Sequence, residues 1–236
     1  MGTPIENRAE VGGMLLLGID TCGPTGSVAL ARLADSAMQV LSEATLEGRT
    51  YSATLVAAVE ALLKANGVRL REIGALVVVN GPGSFTGVRV GLSAAKGLAE
   101  GAGIPVIALS RLGVLAADAG VANAALDAHR HEIYLRLGER ELLAGAEDLA
   151  ALGQSARVAV CDPSAEALLA AAWPVAELVR VAEPNASDAL RLAVARIASG
   201  DFDDVALLDG HYLRRSDAEI FGEKGRSAES GGSPAR

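Results

Sequence analysis

Apolar positions along the chain follow two rhythms. Met14 to Ile19, Ser27 to Leu33 and Met38 to Leu46 are apolar or alternating runs parted by turn residues, and they predict an antiparallel three-strand meander. From Tyr51 to Asn66 the period changes: Leu55, Val56, Val59, Leu62 and Leu63 recur at helical spacing, and Asn66-Gly67 supplies a stop. A strand at 75–79, a helix over about 86–100 and a short strand at Pro105 to Leu109 come next.

Three strands, helix, strand, helix, strand is the order of one lobe of the ribonuclease H-like, actin-like superfold. A second lobe starts near Ser110, with a helix over 110–119 and strands over 121–126 and 131–137. Beyond Gly138 the pattern thins to an Ala/Leu-rich stretch, a strand at Val158 to Cys161 and helices near 163–172 and 185–198. The expected fold is α/β and two-lobed, with a reduced second lobe. Its divisions are a flexible N-terminal extension over 1–13, an N-terminal lobe over 14–109, a C-terminal lobe over 110–221 and a disordered Gly/Ser-rich tail over 222–236.

Half of the 236 residues are apolar, enough for a sizeable core, but only 3% are aromatic, so Ala, Val and Leu must build it. Few aromatic platforms, and 21 Lys and Arg against 29 Asp and Glu, disfavour direct binding of nucleic acid. Cys22 and Cys161 are far apart with no CxxC spacing, which fits idle thiols in a reducing compartment better than the alternative, a structural disulfide. The apolar run at 14–19 is too short for a leader or a membrane span, so the chain reads as soluble and cytoplasmic.

The densest signal is Asn80-Gly81-Pro82-Gly83-Ser84-Phe85-Thr86-Gly87-Val88-Arg89-Val90-Gly91, set between a buried strand and a small-residue helix. Gly81 and Gly83 permit a tight turn, Ser84 or Thr86 can cap the helix, and a helix start can hold an anion. Neither GxGxxG nor GxxxxGK[ST] is present, so the turn equally just makes a corner. Asp20-Thr21 precedes Gly23, Pro24, Gly26 and Ser27, bringing a carboxylate, hydroxyls and bare backbone to a hairpin tip. On spacing alone an Asx turn is the plainer reading. Arg89 falls in the first turns of its helix, where a cation opposes the dipole and calls for a negative neighbour such as Glu100 or a partner's acid. His129 and His131 alternate on an expected strand, too few for a metal centre, and no HExxH or GxSxG is found.

The strings GIDTCGPTGSVAL, VNGPGSFTGVRVGLSAAKGLAEG, IPVIALSRLGVLA, ALDAHRHEIYL and HYLRRSDAE together resemble the bacterial TsaB (YeaZ) family from about Leu15 to Ile220. The resemblance implies a role in making N6-threonylcarbamoyladenosine at position 37 of ANN-decoding tRNAs. The chain would be a non-catalytic paralogue of the TsaD transferase, pairing with a TsaD-like subunit through the N-terminal lobe and admitting a TsaE-like ATPase. Alone it would form a homodimer, and it would reach tRNA only through the complex. TsaD relatives hold a metal with an HxxxH pair on the helix after the meander; Tyr51 to Leu62 contains no histidine, and Tyr51 stands where many family members keep one. Actin-like ATPases grip phosphates with the first hairpin, which makes Asp20, Thr21, Gly26, Ser27, Gly81, Gly83 and Ser84 candidates for weak ATP or ADP binding with magnesium. Leu55, Val59, Leu62, Phe85, Arg89, Ala94 and Ala95 are the candidate partner surface. No catalytic residue, metal ligand or required cofactor is expected; the alternative is a small actin-like ATPase or phosphotransferase.

Overall fold

The computed structural model describes residues 13–48 and 50–214. The tail expected over 222–236 and, apart from Gly13, the extension expected over 1–13 lie outside the described residues.

Strands β1 (Met14–Asp20), β2 (Thr25–Ala34) and β3 (Ala37–Glu47) form the expected meander, followed by α1 (Tyr51–Ala65), β4 (Ile73–Val79), α2 (Phe85–Ala102) and β5 (Val106–Leu109). The sheet order is β3-β2-β1-β4-β5, with β2 antiparallel to β1 and β4 and β5 parallel continuations. Central β1 and β4 are buried almost throughout, as their unbroken apolar runs require. Edge strand β3 alternates between shielded and exposed positions.

The second sheet repeats this plan. After α3 (Arg111–Asp118) come β6 (Ala124–Asp127), β7 (Ile133–Leu137), β8 (Arg140–Ala144), α4 (Ala146–Leu152), β9 (Arg157–Val160), α5 (Pro163–Ala172) and β10 (Glu177–Arg180). Their order, β10-β9-β6-β7-β8, is the first sheet's order again: meander, then two parallel strands on the other side. The lobe is reduced in strand length and not in strand number. Strands β8 and β10 are five and four residues long, too short to show a period inside an Ala/Leu-rich stretch. The two sheets and their helices make a two-lobed actin-like fold.

Helix α6 (Ala186–Ser199) departs from the expected division at 109/110. Ala186, Ala189, Leu190, Ala193 and Ile197 belong to the first lobe's core, so the chain returns to its first sheet after building the second. The Ser27 hydroxyl accepts the Ala186 N–H at 2.8 Å, which fixes the start of α6 on the β1–β2 hairpin. Beyond α6 a strap runs along the molecule: Asp203 bridges to Val106, the His211 N–H donates to the Asn80 carbonyl, and Leu213 packs on the second lobe. No helix among the described residues is long and apolar enough to cross a membrane.

Candidate functional site

The lobes enclose a cleft of about 1160 Å³, walled by the β1–β2 tip, the glycine turn, the first residue of α3, the β6–β7 turn and the strap. The two most distinctive strings of the sequence meet at its edge and lock together. The Ser84 N–H donates to the Cys22 carbonyl at 2.8 Å, and the Thr21 hydroxyl donates to the Gly87 carbonyl at 2.7 Å. A Cβ on Gly83 would stand 2.2 Å from the Cys22 oxygen and one on Gly87 2.0 Å from the Thr21 oxygen, so this crossing demands glycine at both places. Ser84 caps α2 by accepting the Gly87 N–H.

Of the seven residues expected to bind phosphate, Gly83 and Ser84 reach the cleft wall. The Thr21 and Ser27 hydroxyls are spent on internal hydrogen bonds, Gly26 backs onto the Tyr51 ring, and the Gly81 carbonyl accepts the Arg111 N–H at 2.6 Å. Asp20 lies behind the tip, 1% exposed. Its Oδ1 accepts the Cys22 N–H at 2.8 Å and its Oδ2 faces Arg111 Nε at 4.0 Å; Arg111 Nη2 in turn lies 3.8 Å from Glu183 Oε2. Burial pushes the Asp20 carboxyl up, against the pull of Arg111 and of the Cys22 N–H. Magnesium does not fit here, because one carboxylate oxygen is bonded and the other already faces a guanidinium. Neither thiol is poised as a nucleophile: burial pushes Cys22 well above its ordinary value and Cys161 up to about 11. The Tyr51 hydroxyl props the tip by donating to the Gly23 carbonyl at 2.9 Å, and burial first of all pushes it up to about 12.

The β6–β7 turn mirrors the first tip. Asp127 ends β6 as Asp20 ends β1, and its Oδ1 accepts the N–H two residues on, from His129, at 2.8 Å. His129 and His131 do not lie on a strand as expected: His129, Arg130 and His131 form a left-handed turn with φ of 60°, 58° and 61°. His129 Nδ1 approaches Asp127 Oδ2 at 3.0 Å. The described residues hold no group of three His, Cys, Asp or Glu arranged for a metal ion.

The expected partner surface divides in two. Leu55, Val59, Leu62 and Ala95 are buried in the first lobe's own core, at 1%, 2%, 5% and 0% exposure, and Ala94 is half-buried. Helical spacing had picked out the stripe that faces the sheet. The outward side carries Val56, 59% exposed, with Ala53, Ala57 and Ala61, and on α2 Phe85 and Arg89. Arg89 does not turn to an acid: its guanidinium lies 3.8 Å above the Phe85 ring, one helical turn back, and Phe85 meets Tyr212 of the strap at 5.1 Å.

Glu141 on β8 ties the lobes together. It accepts from Ser110 Oγ and Arg136 Nη1 at 2.7 Å and pairs with His211 Nε2 at 2.8 Å. Burial raises the carboxyl, but these bonds outweigh it and hold Glu141 below its ordinary 4.5. A depressed acid stabilises the fold above its unfolded pKa and loses that contribution as pH falls through the folded value. Glu141→Gln is therefore expected to lower stability at neutral pH and to flatten the acid limb of a denaturant-midpoint profile below about pH 4.5. An unchanged profile would show that the clasp carries no stability.

A family model described as TsaD, tRNA N6-adenosine threonylcarbamoyltransferase, matches residues 39–163, more than half of the chain. The chain belongs to this family. Several similar proteins carry TsaB or YeaZ names. The tRNA threonylcarbamoyladenosine biosynthesis protein TsaB of Haemophilus influenzae is 37% identical over 134 residues, covering 54% of this chain and 55% of that protein. The TsaB of Escherichia coli K12 is 39% identical over 127 residues, 51% of this chain and 53% of that protein. This chain thus spans about half the length of the curated relatives it matches. An uncharacterized Pseudomonas aeruginosa crystal structure, with similarity to peptidase YEAZ, superposes with a TM-score of 0.70 at 28% identity over 85% of this chain and 100% of that one.

Sequence reasoning missed Arg111, Glu183, Asp127 and Glu141. Arg111 alone left a trace: in a helix that stays apolar until Asp118, it is a cation at the first position, where it opposes the dipole and needs acids close by.

Proposed function

We propose that this chain is a non-catalytic subunit for N6-threonylcarbamoyladenosine formation at tRNA position 37. In this reading it docks a TsaD-like transferase on the outward face of α1 and α2, a TsaE-like ATPase joins that pair, and tRNA is met through the assembly in the cytoplasm. Without its partner the same face pairs two copies of the chain. The names of the Haemophilus and Escherichia relatives support the pathway. The observation that carries the docking reading is the outer side of α1, where Val56 stands exposed among Ala53, Ala57 and Ala61 on a helix whose inner side is wholly committed to the core. The guanidinium beside Asp20 argues against an ATPase, since the carboxylate that would orient magnesium already faces a cation.

A double variant, Val56→Asp with Arg89→Glu, changes only exposed positions and is expected to melt as the parent does. In a reconstituted modification reaction it should cut the threonylcarbamoyladenosine yield by about ten-fold or more, the loss of a buried apolar anchor and a charge reversal together. Full yield from the variant would refute the docking face. Magnesium-dependent ATP turnover by the isolated chain, lost in Asp20→Asn, would instead establish the ATPase reading.

A further inference from the structure

Among the described residues, the side-on fork of an arginine, Nε with Nη2, twice clasps a single carboxylate. Arg69 holds Glu72 through Nε–Oε2 at 3.0 Å and Nη2–Oε1 at 2.9 Å, and Arg180 holds Glu166 through the same pair of nitrogens. Both of those pairs are at the surface. Arg111, 5% exposed, presents the same two nitrogens with no hydrogen-bond partner. Asp20 Oδ2, next to them, has none either. The nearest carboxylate oxygens, Asp20 Oδ2 at 4.0 Å from Nε and Glu183 Oε2 at 3.8 Å from Nη2, flank the fork just beyond bonding reach. Two donors and one acceptor, all buried, are thus left unmet in one spot, which native proteins rarely leave without an occupant. Arg111 and Glu183 both line the interlobe cleft, and the spot lies directly behind that wall.

We infer that the open fork of Arg111 receives the carboxylate of a small zwitterion of the α-amino-acid class, with Asp20 and Glu183 receiving its ammonium group. Charge balance selects this class. The site holds one guanidinium and two carboxylates, so an oxyanion alone would add a second uncompensated negative charge in a buried place. That burial already pushes the Asp20 carboxyl up points the same way. A simple cation would answer the two acids and leave the fork unpaired. A zwitterion meets both sets of atoms and leaves the local charge unchanged, and a planar carboxylate matches the fork as Glu72 and Glu166 do. The inference is independent of the docking reading, because it concerns the cleft of the isolated chain.

The test is calorimetric titration of the full chain near pH 7 at constant ionic strength, with glycine, L-alanine, acetate and methylammonium as separate probes. Saturable binding of glycine or L-alanine is expected, with acetate and methylammonium about ten-fold weaker or more. Glu183 is partly exposed, so Glu183→Gln should keep the parent melting temperature while weakening the amino-acid probe about ten-fold. Arg111→Lys, which keeps the charge and loses the fork, should abolish binding; should that variant not fold, Glu183→Gln decides alone. Absence of saturable binding by both amino acids would mean that water fills the fork. Acetate binding as tightly as glycine, or indifference to Glu183→Gln, would equally overturn the inference.

Discussion

Gly87→Ala is expected to destabilise the first lobe by about 3 kcal/mol or more, lowering the melting temperature by roughly 6–12 °C. A methyl group at this helical position would arrive 2.0 Å from the Thr21 carbonyl oxygen, a backbone atom fixed in the strand-to-tip transition and unable to swing aside. Relief requires α2 to back away from the hairpin, which breaks the Thr21–Gly87 and Ser84–Cys22 hydrogen bonds together. The same substitution ten residues on has the opposite sign. Gly97 has open space around its missing side chain within the same helix, so Gly97→Ala should stabilise by about 0.5–1 kcal/mol through backbone entropy and helix propensity. Thermal and urea melts of the two variants side by side separate the crossing from general intolerance of α2. Equal behaviour of the pair would remove the interlock as the reason for the glycine.

Leu190→Ala should cost about 3 kcal/mol, within the range for a fully buried leucine whose cavity cannot collapse. The informative readout is where the damage falls. Leu190 comes late in the chain, after both sheets, yet its side chain packs in the first lobe's core, against β1 at Gly18. Hydrogen exchange should therefore quicken in β1, β2 and β4 while β6, β7 and β9 keep their protection. Loss of protection confined to the second sheet would contradict the placement of α6.

The meander, the first two helices and β4 were legible because each is long enough to show its own period. Order of elements then suggested the superfold, and five literal strings the family. What stayed hidden has particular causes. Periodicity in α1 selects Leu55, Val59 and Leu62, but the positions that repeat most regularly are those pressed on the sheet, and a docking surface falls on the residues out of phase with them, such as Val56. A dipole argument sought an acid for Arg89, and the aromatic face of Phe85, four residues earlier, took its place. Glu141 sits on a five-residue strand with no alternation to announce it. An amphipathic pattern in α6 foretells a helix with one apolar side and says nothing about which of two sheets will receive it. The Asp20–Arg111–Glu183 cluster draws its members from β1, from the start of α3 and from the stretch before α6, so only the folded chain brings Arg111 within 4.0 Å of each acid.

Because α6 covers β1, β2 and β4 but is synthesised after the whole second sheet, the ribosome releases a first sheet with one side still bare. That side exposes Leu, Val and Ala to water for the time taken to translate the intervening lobe, an interval in which self-association or chaperone capture competes with burial. Premature termination anywhere ahead of Ala186 would leave the sheet permanently uncovered, so fragments of this protein should precipitate even when they contain every residue of the meander and both of its outer helices.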